Sequence, residues 1–177
     1  PAIRRAAASM SSRVMSMRSQ ESRSRYIAPV DRPITPSTLA LETARTLVRM
    51  NTVSRNSNLE LIHFVRDELA RHGVASRLTL DDTGSKANLF ATIGAGKPAG
   101  VVVSGHTDTV PWDNQDWSVD PLGADVGEGR LYGRGSCDMK AGLAGMAVAM
   151  VAIKRAVAKP KGSVVFAACV DEEVNGI

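Results

Sequence analysis

Cysteine is scarce in this sequence. Its 177 residues contain two, Cys137 and Cys169, 32 positions apart and without a CxxC pair, a pattern that fits neither a thiolate metal site nor a disulfide scaffold. The expectation is two reduced, mostly buried thiols in a reducing compartment, the cytoplasm by default or an organelle matrix. A long apolar run is missing too. The longest apolar-looking stretch, Leu143 to Ile153, is too short and too rich in Ala and Gly to span a bilayer, so no membrane role is expected. Most of the chain also lacks a net positive charge. The formal charge is +4, but residues 1–34 carry seven arginines against two acids, or +5, which leaves −1 for everything from Thr35 onward. A body with that charge has no reason to seek nucleic acid or an anionic surface, so any such role falls to the tail.

From Pro1 to Pro33 the chain is Arg, Ser, Ala and Met, with almost no aromatic or β-branched residues. Such a segment cannot bury enough apolar surface to offset chain entropy, and residues 1–34 are predicted to be a disordered basic tail. Three origins fit the composition: a gene start placed upstream of the true initiator (Met10, Met15 or Met17), an organellar transit peptide, or a basic interaction segment.

The folded body is predicted to begin with a helix, capped by Thr35 with Pro36 in its first turn and Ala40, Ala44, Leu47 and Val48 at helical spacing. A second helix is signalled by a capping box of Ser57 and Glu60, an apolar stripe of Leu61, Ile62, Val65 and Leu69, and a closing Gly73. Strands are expected at Val74–Leu80, Asn88–Ile93 and Val101–Ser104, the last a continuous apolar run of the kind buried on both faces. A polar loop follows from Thr107 to about Val126, then a helix over roughly Lys140 to Val157 and a strand over Val164–Val170. The stretch Gly94–Gly100 reads as a turn, since its glycines have neither dinucleotide-binding nor phosphate-binding spacing. Helices alternating with buried strands predict an α/β fold, a mostly parallel sheet flanked by helices. Sites in such sheets form beyond the carboxyl ends of strands.

Three polar clusters occupy those positions. In Ser104-Gly105-His106-Thr107-Asp108, residues two apart share one side of an extended segment, so Asp108 can reach the His106 ring and leave the other ring nitrogen free for a metal. In Gly133-Arg134-Gly135-Ser136-Cys137-Asp138, Asp138 stands where a helix cap would, yet two glycines and an arginine just before it suggest a shaped loop that presents the carboxylate. Asp171-Glu172-Glu173 closes an apolar strand, and three adjacent acids there are easiest to understand if cations neutralise them. His63 and His72 sit on the second helix, whose cap and stripe explain it without catalysis.

Together the clusters supply imidazole and carboxylate donors suited to zinc or its divalent neighbours. The joint pattern resembles the zinc-dependent deacylase and peptidase family that includes acetylornithine deacetylase, succinyl-diaminopimelate desuccinylase, aminoacylase and glutamate carboxypeptidase. The resemblance runs from about Thr35 to the last residue. Within the family it looks most like the acetylornithine deacetylase branch, through Lys86–Gly94, His106–Trp112 and Gly135–Lys140, with Ala141 where the family commonly has Gly. The resemblance implies a zinc-peptidase-like catalytic domain holding two Zn2+ ions, with Co2+ as a substitute. By it, His106 is a ligand of one zinc, Asp108 steadies its imidazole, Asp138 bridges both ions, Glu173 binds the other, and Glu172 is the general base. The implied substrate is a small N-acyl amino acid, N-acetylornithine first, giving ornithine and acetate in arginine biosynthesis. A dipeptide or a succinylated diamino acid is an alternative, as is a non-catalytic relative acting through its basic tail. Family members continue past Glu173 with another acidic ligand, a lid and dimerisation domain and a late histidine ligand. On that pattern residues 35–177 are the N-terminal part of the catalytic domain, inactive alone, from an enzyme that is a homodimer at full length.

Overall fold

A computed structural model describes residues 37–94, 100–156 and 160–176. The basic tail, Thr35, Pro36, Val157 and the middle of the Gly94–Gly100 turn lie outside the described residues.

Helix α1 (Thr38–Arg49) is capped by Ser37, whose Oγ accepts the Ala40 N–H at 3.2 Å. Ser37, rather than the expected Thr35, therefore satisfies a first-turn donor. Helix α2 (Leu59–Arg71) buries the predicted stripe of Leu61, Ile62, Val65 and Leu69. Each such side chain contributes roughly 1.5–3 kcal/mol relative to exposure. Its predicted capping box does not form. Ser57 Oγ instead donates to the Ser85 carbonyl and accepts the Leu59 N–H, while Asn58 at the N-cap position spends its amide on strand residue Ala87, donating to its carbonyl and accepting its N–H. Gly73 ends the helix as predicted. Its N–H bonds the Ala70 carbonyl and the Val74 N–H bonds that of Leu69, the paired closure of a Schellman motif.

The strands are β1 (Ser76–Leu80), β2 (Ala87–Ile93), β3 (Gly100–His106) and β6 (Ser163–Cys169), in the order β1-β2-β6-β3. The fold is α/β as expected, but the sheet is mixed. β3 and β6 run parallel through the crossover helix α3 (Lys140–Ala156), whereas β1 with β2 and β2 with β6 are antiparallel. A short hairpin not foreseen in the sequence, β4 (Val126–Gly127) and β5 (Arg130–Leu131), turns through Glu128 and Gly129, both at positive φ.

One face of the sheet carries Leu89 and Ala91 beside their register partners Ala168 and Phe166, all buried. Against them pack α2 and the α3 stripe of Leu143, Ala144, Ala147, Met150 and Val151, with Ala44 and Leu47 of α1 closing the core. The expectation for β3 was burial on both faces. Among the described residues it is instead an edge strand, and Val101 and Val102 are 60% and 66% exposed.

Candidate metal centre

His106 is the last residue of β3, and its ring is nearly buried at 6% exposure. The next residue fixes that strand end. The Thr107 N–H and hydroxyl both donate to the Cys169 carbonyl of β6, and Thr107 Oγ1 accepts from Asn58 Nδ2. His106 Nδ1 lies 2.9 Å from the backbone carbonyl of Asp108. A carbonyl only accepts, so Nδ1 carries a proton, and Nε2 is the ring nitrogen that faces Asp138, donating to it when protonated and free to bind a metal when not. The tie predicted to come from the Asp108 carboxylate thus comes from its backbone; carboxylate Oδ1 stands 3.7 Å from Nδ1. The carboxylate itself is buried and accepts from Ser54 Oγ at 2.7 Å and from the N–H groups of Glu172 and Glu173 at 3.3 and 3.2 Å. Three donors on one carboxylate offset the cost of burying its charge.

Asp138 lies two residues before α3, and its peptide bond to Met139 is cis. Its Oδ1 meets His106 Nε2 at 2.9 Å, with the side chain 73% exposed. The loop before it is shaped by Gly133 and Gly135 at φ +141 and +82. A Cβ on Gly135 would stand 2.8 Å from Thr109 Cγ2 and 3.0 Å from Lys140 Cδ. Arg134 holds the preceding polar loop: its guanidinium lies over the Trp117 ring at 5.1 Å and donates to Gln115 Oε1, which also accepts from Trp117 Nε1.

Glu172 and Glu173 belong to a single 3-10 turn, Glu172–Val174, with two residues between it and the end of β6. Glu172 Oε2 is 3.9 Å from His106 Nε2, with its side chain 65% exposed. Donor atoms of His106, Asp138 and Glu173 all lie within 4.8 Å of one another. Three clusters remote in sequence thus meet beyond the carboxyl ends of the parallel pair β3 and β6, the position where open α/β sheets place ligands. One imidazole nitrogen and two carboxylates are a donor set that fits zinc.

The local field agrees with that fit. Burial by itself would lower the His106 pKa, but the hydrogen bond to Asp138, the Asp108 carbonyl and the charges of both carboxylates raise it above the ordinary value. Burial also raises the Glu173 carboxyl, and the neighbouring charge of Asp138 raises it further, against the opposing pull of His106. The His106 shift reflects the carboxylates around it, and the Glu173 shift reflects burial first and the neighbouring Asp138 charge second.

Asp171, the first acid of the triplet, is neutralised by protein. Its Oδ1 pairs with Lys86 Nζ at 2.6 Å, so the expectation that metal cations balance all three acids is corrected at this position. Lys86 was visible in the sequence only as part of the Lys86–Gly94 stretch, and Ser54 gave no signal. His63 is exposed and His72 Nε2 is 3.4 Å from Glu68 Oε1, both away from the centre.

Known proteins resemble this chain in sequence and in fold. Residues 102–177 match the sequence profile of Peptidase family M20/M25/M40. A probable succinyl-diaminopimelate desuccinylase of Staphylococcus epidermidis is 34% identical over 130 residues, covering 73% of this chain and 31% of that protein. A succinyl-diaminopimelate desuccinylase of Rhodopseudomonas palustris is 38% identical over 153 residues, covering 81% and 38%. That of Roseobacter denitrificans is 47% identical over 94 residues, covering 52% and 24%. The chain thus spans about a third of the length of these relatives. In structure it is similar to the M20 family metallo-carboxypeptidase Sso-CP2 from Sulfolobus solfataricus, with a TM-score of 0.69 at 19% identity over 78% of this chain and 32% of that one. Human carnosine dipeptidase 1 gives a TM-score of 0.62 at 24% identity, covering 78% and 33%. These two likenesses concern the fold, and the sequence matches add the lineage. The chain belongs to the zinc-dependent deacylase and peptidase family, Peptidase family M20/M25/M40.

Proposed function

We propose that the protein is a metal-dependent amide hydrolase acting on a small N-acyl amino acid. The observation that carries this reading is the convergence of His106, Asp138 and Glu173 donor atoms within 4.8 Å of one another, with Glu172 beside them. When bound, zinc would polarise the amide carbonyl and lower the pKa of a water toward neutrality. His106 and Asp138 would hold one ion and Asp138 and Glu173 a second, with Co2+ able to replace Zn2+. The His106–Asp108 carbonyl bond keeps the imidazole in the tautomer a ligand needs. Glu172 stands outside the three-donor group with a solvent-exposed carboxylate. It would take the proton of the attacking water and return it to the leaving amine.

The substrate is an N-acylated diamino acid. The three relatives described above are named for succinyl-diaminopimelate, which favours a succinyl acyl group. The Lys86–Gly94 and His106–Trp112 motifs favour N-acetylornithine, the second reading. Catalytic zinc usually has three protein ligands, and two per ion are assigned here. The remaining ligands, the groups that read the substrate carboxylate and a homodimer interface are proposed to lie elsewhere in the whole protein, with residues 1–177 inactive alone. Cys137 is exposed and Cys169 half-buried, not mostly buried as expected; as free thiols they would suit a reducing compartment such as the cytoplasm.

The test uses the product of the whole open reading frame, stripped by chelator and assayed with N-succinyl-diaminopimelate, N-acetylornithine and dipeptides. Zinc should restore hydrolysis of one N-acyl diamino acid in preference to the dipeptides. Glu172→Ala should lower turnover by about 10²-fold or more with metal content retained. Absence of zinc-dependent amide hydrolysis would overturn the reading. Loss of metal in Glu172→Ala would exchange the roles of the two glutamates.

A further inference from the structure

The acid triplet is held by a closed set of contacts that starts and ends on itself. Lys86, just before β2, donates from Nζ to Asp171 Oδ1 and to the Ser54 carbonyl, each at 2.6 Å. The Ser54 hydroxyl donates to Asp108 Oδ2 at 2.7 Å, and the Asp108 carboxylate accepts the N–H groups of Glu172 and Glu173. The segment is therefore held at the Asp171 side chain by a cation and at the Glu172 and Glu173 backbone N–H groups by an anion.

Three further observations separate this from an ordinary surface pair. The side chains of Lys86 and Asp171 are only 18% and 14% exposed, so their attraction is screened far less than that of solvated pairs. Asp171 sits in the left-handed region at φ +64, which a non-glycine residue adopts at a cost. Among the described residues, Lys86 is the one Lys or Arg that forms an ion pair with the triplet.

We propose that Lys86, acting through Asp171 and Ser54, is a positioning residue of the metal centre. It sets the turn from which Glu173 joins His106 and Asp138 and from which Glu172 faces His106. This rests on the metal-centre reading above. It adds that the geometry of the two glutamates depends on a lysine that touches neither of them nor the metal.

The experiment compares Lys86→Met, Lys86→Arg, Asp171→Asn and the Lys86→Met/Asp171→Asn double variant with the wild type, all as whole open reading frame products. Asp171→Asn keeps a side chain that tolerates the left-handed backbone and removes only the charge. Amide hydrogen exchange at Glu172 and Glu173 should accelerate about tenfold or more in Lys86→Met and Asp171→Asn, with α3 and β6 protection unchanged. Co2+ affinity, followed through its visible absorption bands, should fall about tenfold in each. Lys86→Arg should recover part of both. The double variant should be no worse than the worse single one, because both act through one contact. Wild-type exchange and affinity in Lys86→Met and Asp171→Asn, or additive losses in the double variant, would overturn the proposal. If Lys86→Met does not fold, Asp171→Asn and Lys86→Arg decide. A wild type that binds no Co2+ would sink the metal-centre reading, and the exchange rates would then judge the positioning role on their own.

Discussion

Lys140 is among the largest fully buried side chains described, and its ammonium donates to the Met50 carbonyl at 2.6 Å. Burial pushes its pKa down from 10.5 to about 8. The unfolded chain therefore binds more protons than the folded one between about pH 8 and pH 10.5, and stability rises with pH through that window. Moving from about pH 7.5 to about pH 9.5 should add about 2 kcal/mol to the unfolding free energy from this group alone. Urea unfolding of Lys140→Met at the two pH values should lose that increment, and an unchanged pH slope would show that Lys140 is not the group responsible. Residues of this kind are where sequence reading gave least. In the sequence Lys140 is one more polar residue at a helix start, and Lys86 is only the first residue of the Lys86–Gly94 stretch. Burial and pairing arise from elements far apart in the chain, and a local pattern does not report them. His106, Asp138 and Glu173 were legible because each combines an unusual residue type with a loop at a strand or helix end.

At the scale of elements, periodicity located α2, α3 and the four main strands to within a few residues, since an apolar stripe or run is a local property. It did not give the pairing. β2 lies antiparallel to β6, and β3 ends as an exposed edge, because an apolar run carries no information about which strand will lie beside it. Cap chemistry misled for a similar reason: Asn58 and Ser57 had partners on β2 and in the preceding loop that outcompeted a local box. The Gly-rich segment was more instructive. Gly135 at φ +82 is wedged between Thr109 and Lys140, so the loop presenting Asp138 requires a residue without Cβ. Gly135→Ala should cost about 2–4 kcal/mol, from a strained backbone plus a clash, whereas Cys137→Ala at an exposed neighbour should stay within about 0.5 kcal/mol. Chemical denaturation of both variants checks this, and equal stabilities would mean that the loop's shape does not depend on Gly135.

Across the whole molecule, the net charge of +4 belongs to residues 1–34, and the remainder is close to neutral. Its acids are not evenly spread. Asp108, Asp138, Glu172 and Glu173 gather around His106 at one end of the parallel pair, while a separate lysine balances Asp171. No helix among the described residues is long and apolar enough to cross a membrane. The fold and the field bear on one proposed cation site, between β3, the loop before α3 and the turn after β6. Zinc-edge anomalous diffraction from crystals of the protein grown with zinc tests this most directly. The account predicts an anomalous peak within about 2.0–2.2 Å of His106 Nε2 and of an Asp138 or Glu173 carboxylate oxygen, lost in His106→Ala; zinc-loaded crystals with no peak among these three side chains would contradict it.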